Sequence, residues 1–246
     1  MSTLAEALDA LEGVEGWMTD AQAAVLFDAG EGVPDGGTVV EIGSYHGRST
    51  VVLARATAGR TRVTAIDPHA GNDRGPQRIE GTDAEGEADH QQFLRTLSRT
   101  GVADRVRHVR LPSERALGQV VGAIDVLYVD GAHRYVPARD DIARWGARVA
   151  PGGLMLVHDA FSSVGVTLAQ MRLLLLGNGF RYLGRTGSLV RYRRETLSAR
   201  GKTANAARQL AELPWFVRNV MVKAAIVTGL RPVARALGHR HGPWPY

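Results

Sequence analysis

Short apolar runs alternate along most of the chain with segments in which apolar residues recur at helical spacing. The runs are rich in β-branched residues and are predicted to be strands; they cover residues 38–42, 62–66, 106–111, 124–128 and 154–157. Helical spacing is found in the segments 49–58, 91–101, 136–149 and 167–176. Alternation of this kind is typical of a parallel sheet with helices on both faces.

The two ends of the chain add further elements to this sheet. A broken helical period precedes the first strand, in residues 2–31. Two apolar runs flank the turn Arg185-Thr186-Gly187 and predict an antiparallel hairpin at the sheet edge. The pattern therefore predicts an α/β fold with a doubly wound, mostly parallel seven-stranded sheet that ends in this hairpin. We divide the chain into N-terminal helices (1–36), a central domain (37–193) and a basic helical C-terminal extension (194–246).

Composition narrows the class of protein. None of the 246 residues is a cysteine, which excludes disulfides and zinc sites built on thiolates. No apolar run approaches the length of about 18 residues that a membrane-spanning helix needs. The first thirty residues also lack the continuous apolar core of a secretory signal. We therefore expect a cytoplasmic protein.

Positive charge is concentrated in the tail. Eleven of the 30 Lys and Arg residues, but two of the 25 Asp and Glu residues, lie in 191–246, so this segment carries a net charge of +9 and residues 1–190 carry −4. Three alternatives stay open for the tail: it packs on the core or on a second subunit, lies on an anionic membrane surface, or binds an acidic polymer or nucleic acid. Aromatic residues are not interleaved with the basic ones as in a stacking platform, which argues against nucleic acid. We expect a homo-oligomer.

The tail also contains an apolar segment that begins at Pro214-Trp215-Phe216. In this segment Arg218, Asn219 and Lys223 fall on one side of a helix, and most other residues are apolar. A basic amphipathic helix with aromatic residues at its start is typical of peripheral membrane contact. The C-terminal helix is therefore our candidate for association with a membrane surface.

The first strand is followed by the turn Gly43-Ser44-Tyr45-His46-Gly47, which leads into a helix. A glycine turn between a strand and a helix brings backbone N–H groups close to a nucleotide-like ligand. The second strand ends in Asp67, roughly 20 residues after the glycines, where a carboxylate can accept both hydroxyls of a ribose. Together these features predict a nucleoside-binding site.

Eight residues lie at or just beyond the carboxyl ends of five successive predicted strands. Because ligands of such sheets bind beyond the carboxyl ends of the strands, we expect these residues to meet there. They are Glu41, Gly43, Asp67, Ser113, Asp130, His133, His158 and Asp159.

The residues after the fourth and fifth strands predict acid–base chemistry. Neighbouring parallel strands lie about 4.8 Å apart, so Asp130 and Asp159 are expected to share one divalent cation. Such a cation would bind hydroxyls of an acceptor and lower the pKa of the one that reacts. An imidazole three residues beyond Asp130, that of His133, suits a general base at neutral pH. The structural alternative is that Asp130 caps the next helix and His158 is a satisfied pocket histidine.

The segment Glu41-Ile42-Gly43 to Gly47, with an acid such as Asp67 ending the second strand, resembles the class I S-adenosylmethionine-dependent methyltransferases. The resemblance covers roughly residues 37–193 and implies a Rossmann-like fold with S-adenosylmethionine as cofactor. It places Ser113 beside the adenine, where the hydroxyl either binds the base or caps the following helix. Carried over, the cofactor-binding residues are Glu41, Gly43, Ser44, Gly47, Ser49, Asp67, Ser113 and Asp130.

Asp130-x-x-His133 followed by Pro151-Gly152-Gly153 and His158-Asp159 resembles a narrower branch, the macrocin- and mycinamicin-type sugar O-methyltransferases. The resemblance implies that Asp130 and Asp159 bind Mg²⁺ and that His133 is the base. One position departs from the pattern of that branch: this chain has His158 where those enzymes have an acid. Imidazole is a poorer ligand for Mg²⁺ than oxygen, so His158 either points away, binds a softer ion such as Mn²⁺, or reaches the acceptor.

The predicted function is O-methylation of a sugar, an oligosaccharide or another polyhydroxylated small molecule, with S-adenosylmethionine and a divalent metal ion. Two alternatives stay open: methylation of RNA, and a non-catalytic nucleoside-binding protein. The irregular segment 68–89 is either a cover over the cofactor and acceptor or an inert insertion.

Overall fold

The computed structural model describes residues 2–72 and 80–239 of the chain. Its seven strands form one sheet in the order β3-β2-β1-β4-β5-β7-β6. They are β1 (Val39–Ile42), β2 (Val63–Ile66), β3 (Val106–Val109), β4 (Ile124–Val129), β5 (Val149–Val157), β6 (Phe180–Thr186) and β7 (Leu189–Arg194). The first five strands run parallel, and β7 lies antiparallel between β5 and β6. The predicted fold class, including the final hairpin, is confirmed.

Helices cover both faces of the sheet. They are α1 (Leu4–Asp9), α2 (Asp20–Glu31), α3 (Arg48–Ala56), α4 (Asp83–Arg99), α5 (Ser113–Ala116), α6 (Tyr135–Gly146), α7 (Val164–Leu174), α8 (Ala199–Leu210), α9 (Leu213–Val227) and α10 (Arg231–Ala236). Alternate strand residues face opposite sides, which divides the core into two clusters. Val40, Leu127 and Val129 pack with the α6–α7 side, while Val39 and Val126 pack with α1, α2 and α3.

Two boundaries differ from the prediction by five residues or more. Helix α4 begins at Asp83, inside the segment predicted as irregular, because Thr82 and Glu85 form a reciprocal capping box. Strand β5 begins at Val149, and the predicted turn Pro151-Gly152-Gly153 lies within it. The pairing with β4 shifts register there, which lets these residues bulge without ending the strand.

The C-terminal extension packs on the β6–β7 edge of the sheet. Asn205 accepts the backbone N–H of Tyr182 at 2.6 Å and is itself buried. Gln209 accepts the Tyr192 hydroxyl at 2.9 Å, and Glu212 accepts that of Tyr182 at 2.9 Å. Buried polar groups are costly unless paired, so this network fixes α8 on the sheet. Packing on the core, one of the three alternatives for the tail, is therefore observed.

Candidate active site

A cavity of about 460 Å³ lies beyond the carboxyl ends of β1, β2 and β4. The turn after β1, the residues after β2 and the segment 130–134 after β4 form its walls. Most of the residues predicted from the sequence line it: Gly43, Ser44, Ser49, Asp67, Ser113, Asp130 and His133. Their convergence follows from parallel register, because Ile42, Ile66 and Val129 are paired neighbours in the sheet.

Gly43 allows β1 and β4 to approach each other at the cavity floor. Its φ of +85° favours glycine, and a Cβ built there would lie 2.1 Å from the carbonyl oxygen of Asp130. Gly47 also has positive φ, at +87°, and precedes the first residue of α3. The two glycines therefore let the backbone turn tightly around the site, as the motif predicted.

Asp67 organises the glycine turn. One carboxylate oxygen accepts the backbone N–H groups of Ser44 and Tyr45, both at 2.9 Å, and the other accepts that of His69 at 2.8 Å. The side chain also lines the cavity. Each carboxylate oxygen has about two acceptor sites, so the oxygen facing His69 keeps one for a ligand. Binding of a ribose by Asp67 stays a prediction.

Glu41 lies beneath the turn, not in the cavity wall. It is fully buried and accepts hydrogen bonds from the hydroxyls of Ser49 and Thr50 at the start of α3. Burial raises its pKa to about 8, against the lowering effect of the two hydroxyls. Glu41 therefore positions α3 in this structure. The Ser44 hydroxyl, by contrast, is buried in the cavity lining and has no hydrogen-bond partner among the described residues, which suits a polar ligand atom.

Ser113 does not cap its helix, contrary to one of the two roles predicted for it. No side-chain cap is present at α5, and the Ser113 hydroxyl donates to Asp141 on α6. Asp141 lines the cavity, and burial raises its pKa to about 6. Sequence analysis missed this acid. The available signal was its position on the helix face that carries Ala138, Ile142 and Trp145, which are all buried.

The remaining walls come from the N-terminal segment and α4. Arg48 donates to the carbonyl oxygens of Val14 at 2.9 Å and Met18 at 3.1 Å, which holds the segment before α2 against the cavity. On the opposite side, His46 Nε2 lies 3.0 Å from a carboxylate oxygen of Asp89 on α4. Both walls contribute lining residues, so the described ends of 68–89 form part of the cavity wall, and their role as a cover stays a prediction. Residues 73–79 of the predicted cover lie outside the described residues.

Four side chains at the ends of β4 and β5 form an acid–imidazole cluster. His133 Nδ1 lies 3.1 Å from Asp159 Oδ2, and its Nε2 lies 3.8 Å from Asp130 Oδ1. His158 Nδ1 also lies 3.1 Å from Asp130 Oδ1. Accessibility decreases inward: the side chain of His133 is 42% exposed and lines the cavity, whereas that of His158 is 4% exposed.

The charges of the cluster stabilise one another. Burial lowers the pKa of His158, but Asp130 and Asp159 outweigh it and raise the pKa to about 9. The same balance between burial and the two carboxylates raises the pKa of His133 above its usual value. Burial opposes ionisation of Asp130, but the positive charge of His158 prevails and lowers its pKa. Asp130 is thus a carboxylate beside an imidazolium at neutral pH.

The predicted metal site is not formed by the described residues. Among residues 2–72 and 80–239, no group of three or more His, Asp or Glu side chains is arranged to hold a metal ion. The oxygens of Asp130 already face other partners, since Oδ2 accepts the Tyr128 hydroxyl at 2.8 Å and Oδ1 faces His158. His158, the third predicted ligand, has its Nδ1 3.1 Å from the same Asp130 oxygen.

Helix α9 of the extension contacts the cluster from behind. Asn219 is fully buried and donates to the carbonyl oxygen of Phe161 at 3.1 Å, two residues after Asp159. Lys223, one turn further along α9, acts electrostatically on both His158 and Asp159. Burial lowers the pKa of Lys223, whereas Asp159 opposes that shift. The tail therefore supplies charge to the cluster, which sequence analysis did not predict.

Comparison with known proteins fits this geometry. Residues 40–160, just under half of the chain, match the sequence profile of a family described as a methyltransferase domain. Over this region the chain is similar to that family. The profile spans the glycine turn, Asp67 and the complete acid–imidazole cluster.

Solved structures of O-methyltransferases share the fold of this domain. The O-methyltransferase TomG from Streptomyces achromogenes, in complex with S-adenosylmethionine, is 17% identical and has a TM-score of 0.55, with 79% of this chain and 89% of that chain covered. An O-methyltransferase from Bacillus cereus with bound S-adenosylhomocysteine is 18% identical and has a TM-score of 0.55. The comparison covers 79% of this chain and 91% of that chain. The O-methyltransferase NovP is 18% identical and has a TM-score of 0.55, with 73% of this chain and 83% of that chain covered. At these identities the likeness shows the fold.

Proposed function

We propose that this protein is an S-adenosylmethionine-dependent O-methyltransferase that acts on a hydroxylated small molecule. The observation that carries the proposal is a single cavity lined both by the glycine turn with Asp67 and by an imidazole, His133, that two carboxylates support. Gly43, Ser44 and Asp67 would hold the cofactor, because they offer close backbone approach, an unpaired buried hydroxyl and a free acceptor site. Bound S-adenosylmethionine would supply an electrophilic methyl group on its sulfonium.

His133 is the proposed general base. A carboxylate 3.1 Å from Nδ1 favours the tautomer with the proton on Nδ1, which leaves Nε2 to accept a proton. Nε2 removes the proton from the acceptor hydroxyl as the oxygen attacks the methyl carbon and the carbon–sulfur bond breaks. Asp159 and Asp130 stabilise the resulting imidazolium. Orientation of the two reactants in the cavity supplies much of the remaining rate.

For the acceptor we propose a sugar or another polyhydroxylated compound. Support comes from the resemblance of Asp130-x-x-His133 and His158-Asp159 to the sugar O-methyltransferase branch. A similar fold also occurs in the O-methyltransferase TomG, an enzyme described as involved in tomaymycin synthesis. The proposed chemistry departs from that branch in one respect: the imidazolium of His158 takes the place of a metal ion beside Asp130.

The test is transfer of a labelled methyl group to a panel of glycans, phenols and RNA, with and without EDTA. We expect transfer to a hydroxylated small molecule that EDTA does not abolish. His133→Ala should lower kcat by about 10²–10⁴-fold and change S-adenosylhomocysteine affinity little, because the imidazole acts in proton transfer. The control is His239→Ala, because His239 lies beyond the end of α10. This variant should keep the kcat of the unaltered protein.

Two results would contradict this proposal in different ways. Loss of activity in EDTA that Mg²⁺ restores would overturn the metal-free chemistry and leave the donor assignment intact. Tight S-adenosylhomocysteine binding without transfer to any acceptor would favour the non-catalytic alternative. Because the carboxylates raise the pKa of His133, kcat/KM should also rise with pH through a value above 6.5, where the base loses its proton.

A further inference from the structure

The outward face of helix α9 is apolar. Pro214, Val217, Met221 and Ala224 recur at intervals of three or four residues and are all exposed. Val217 and Met221 expose about half of their surface, 52% and 49%. A helix on the surface of a domain normally turns such residues toward the core and its polar residues toward water. Helix α9 buries Val222 and Ala225 on its other side and still leaves this second apolar face exposed.

The polar side of α9 faces the protein because it has partners there. Asn219 is buried against the carbonyl oxygen of Phe161, and Arg218 Nε donates to the carbonyl oxygen of Leu237 at 2.8 Å. Lys223 is drawn toward the acid–imidazole cluster. The sequence pattern of a basic amphipathic helix is therefore real, but its basic side is not the side that meets solvent.

The apolar area continues from the last residue of α9 into α10. Three further residues there, Val227, Leu230 and Val233, are 52%, 54% and 44% exposed. We name the set of Val217, Met221, Val227, Leu230 and Val233 the α9–α10 surface. Two cations, Arg231 and Arg235, are exposed beside it on α10. The sequence has no Asp or Glu after Glu212, so this part of the chain supplies no acid to offset their charge.

We propose that the α9–α10 surface docks on an anionic lipid surface. Apolar side chains on one helix face enter the boundary between headgroups and acyl chains, and neighbouring arginines pair with lipid phosphates. No helix in residues 2–72 or 80–239 is long and apolar enough to cross a bilayer. Helix α9 would therefore lie in the plane of the surface. A second copy fits this face poorly, because docking would bring together two segments of net charge +9.

The test is cosedimentation of the full chain with vesicles of phosphatidylcholine alone or with added phosphatidylglycerol, over a range of salt concentrations. We expect binding that needs phosphatidylglycerol and weakens as salt rises. Val217→Glu/Met221→Glu should bind at least about tenfold more weakly, because two buried apolar groups become anions. Arg231→Gln/Arg235→Gln should bind more weakly and with a shallower salt dependence.

Leu176→Glu is the matched control, because Leu176 is 77% exposed but follows α7 and is not one of the residues of the α9–α10 surface. It should bind vesicles like the unaltered protein, and all variants should keep its melting temperature. The proposal is overturned if phosphatidylglycerol vesicles are not bound at low salt, or if Val217→Glu/Met221→Glu binds them undiminished. It is also overturned if light scattering shows a dimer that this double variant dissociates. None of these outcomes depends on methyl transfer.

Discussion

Gly43 provides the sharpest test of how the strand ends build the cavity. In Gly43→Ala the new Cβ would lie 2.1 Å from the carbonyl oxygen of Asp130, 2.5 Å from its carbonyl carbon and 2.9 Å from the Cα of Gly131. All three are backbone atoms, so no flexible side chain can move aside. The ends of β1 and β4 must separate, and overpacking of this kind costs about 1–3 kcal/mol.

Backbone strain adds to this cost and must be measured separately. An alanine at the φ of +85° found at Gly43 is disfavoured by about 1–2 kcal/mol. Gly122 is a matched control, because its φ is +84° and no atom lies within 4 Å of its Cβ position. Gly122→Ala therefore carries the strain without the collision. The gain from restricting the unfolded chain is common to both variants and cancels in the comparison.

The assay is urea unfolding of both variants, together with calorimetric titration of S-adenosylhomocysteine. We expect the free energy of unfolding of Gly43→Ala to fall below that of Gly122→Ala by about 1–3 kcal/mol. Cofactor affinity should fall in Gly43→Ala alone, because Asp130 and Gly131 line the cavity. Equal free energies of unfolding for the two variants would refute the close approach of the strand ends.

Two further predictions concern the acid–imidazole cluster. The pKa of His158 is about 9 in the folded state against about 6.5 unfolded, so its stabilisation is complete below pH 6.5 and is lost as pH rises through 9. The free energy of unfolding should thus fall by on the order of 3 kcal/mol over this range, and His158→Gln should remove that part of the slope; an unchanged slope would show that His158 is not charged. Lys223 is a positioning residue in this scheme, and Lys223→Gln should move the rising limb of the kcat profile to higher pH, because Asp159 then acts on His133 without an opposing cation. Lys223→Arg should restore the profile, and the control Lys202→Gln should leave it unchanged. A loss of kcat in Lys223→Gln without a shift of the profile would indicate a purely structural role for Lys223.

The sequence by itself determined the strands, the glycine turn and the positions of the reactive residues. Each is a local property: apolar β-branched runs favour strands, and Gly43 marks a turn that other residues disfavour. The convergence of Asp67, Asp130 and His133 on one cavity also followed, because parallel strands present their carboxyl ends at one edge. The start of α4 is also set by local residues, because Thr82 and Glu85 form a capping box, but the pattern of apolar residues did not predict it.

Only the tertiary structure decided which groups face each other across that edge. Asp130 faces His158 and the Tyr128 hydroxyl rather than a shared cation, and no pattern within one strand can specify a partner on another. The orientation of α9 was undecided for the same reason. Helical periodicity groups Asn219 and Lys223 on one side, but their burial depends on contacts with Phe161 and the cluster, about 60 residues earlier in the chain. Periodicity fixes which residues share a face, and the surrounding fold fixes what that face meets.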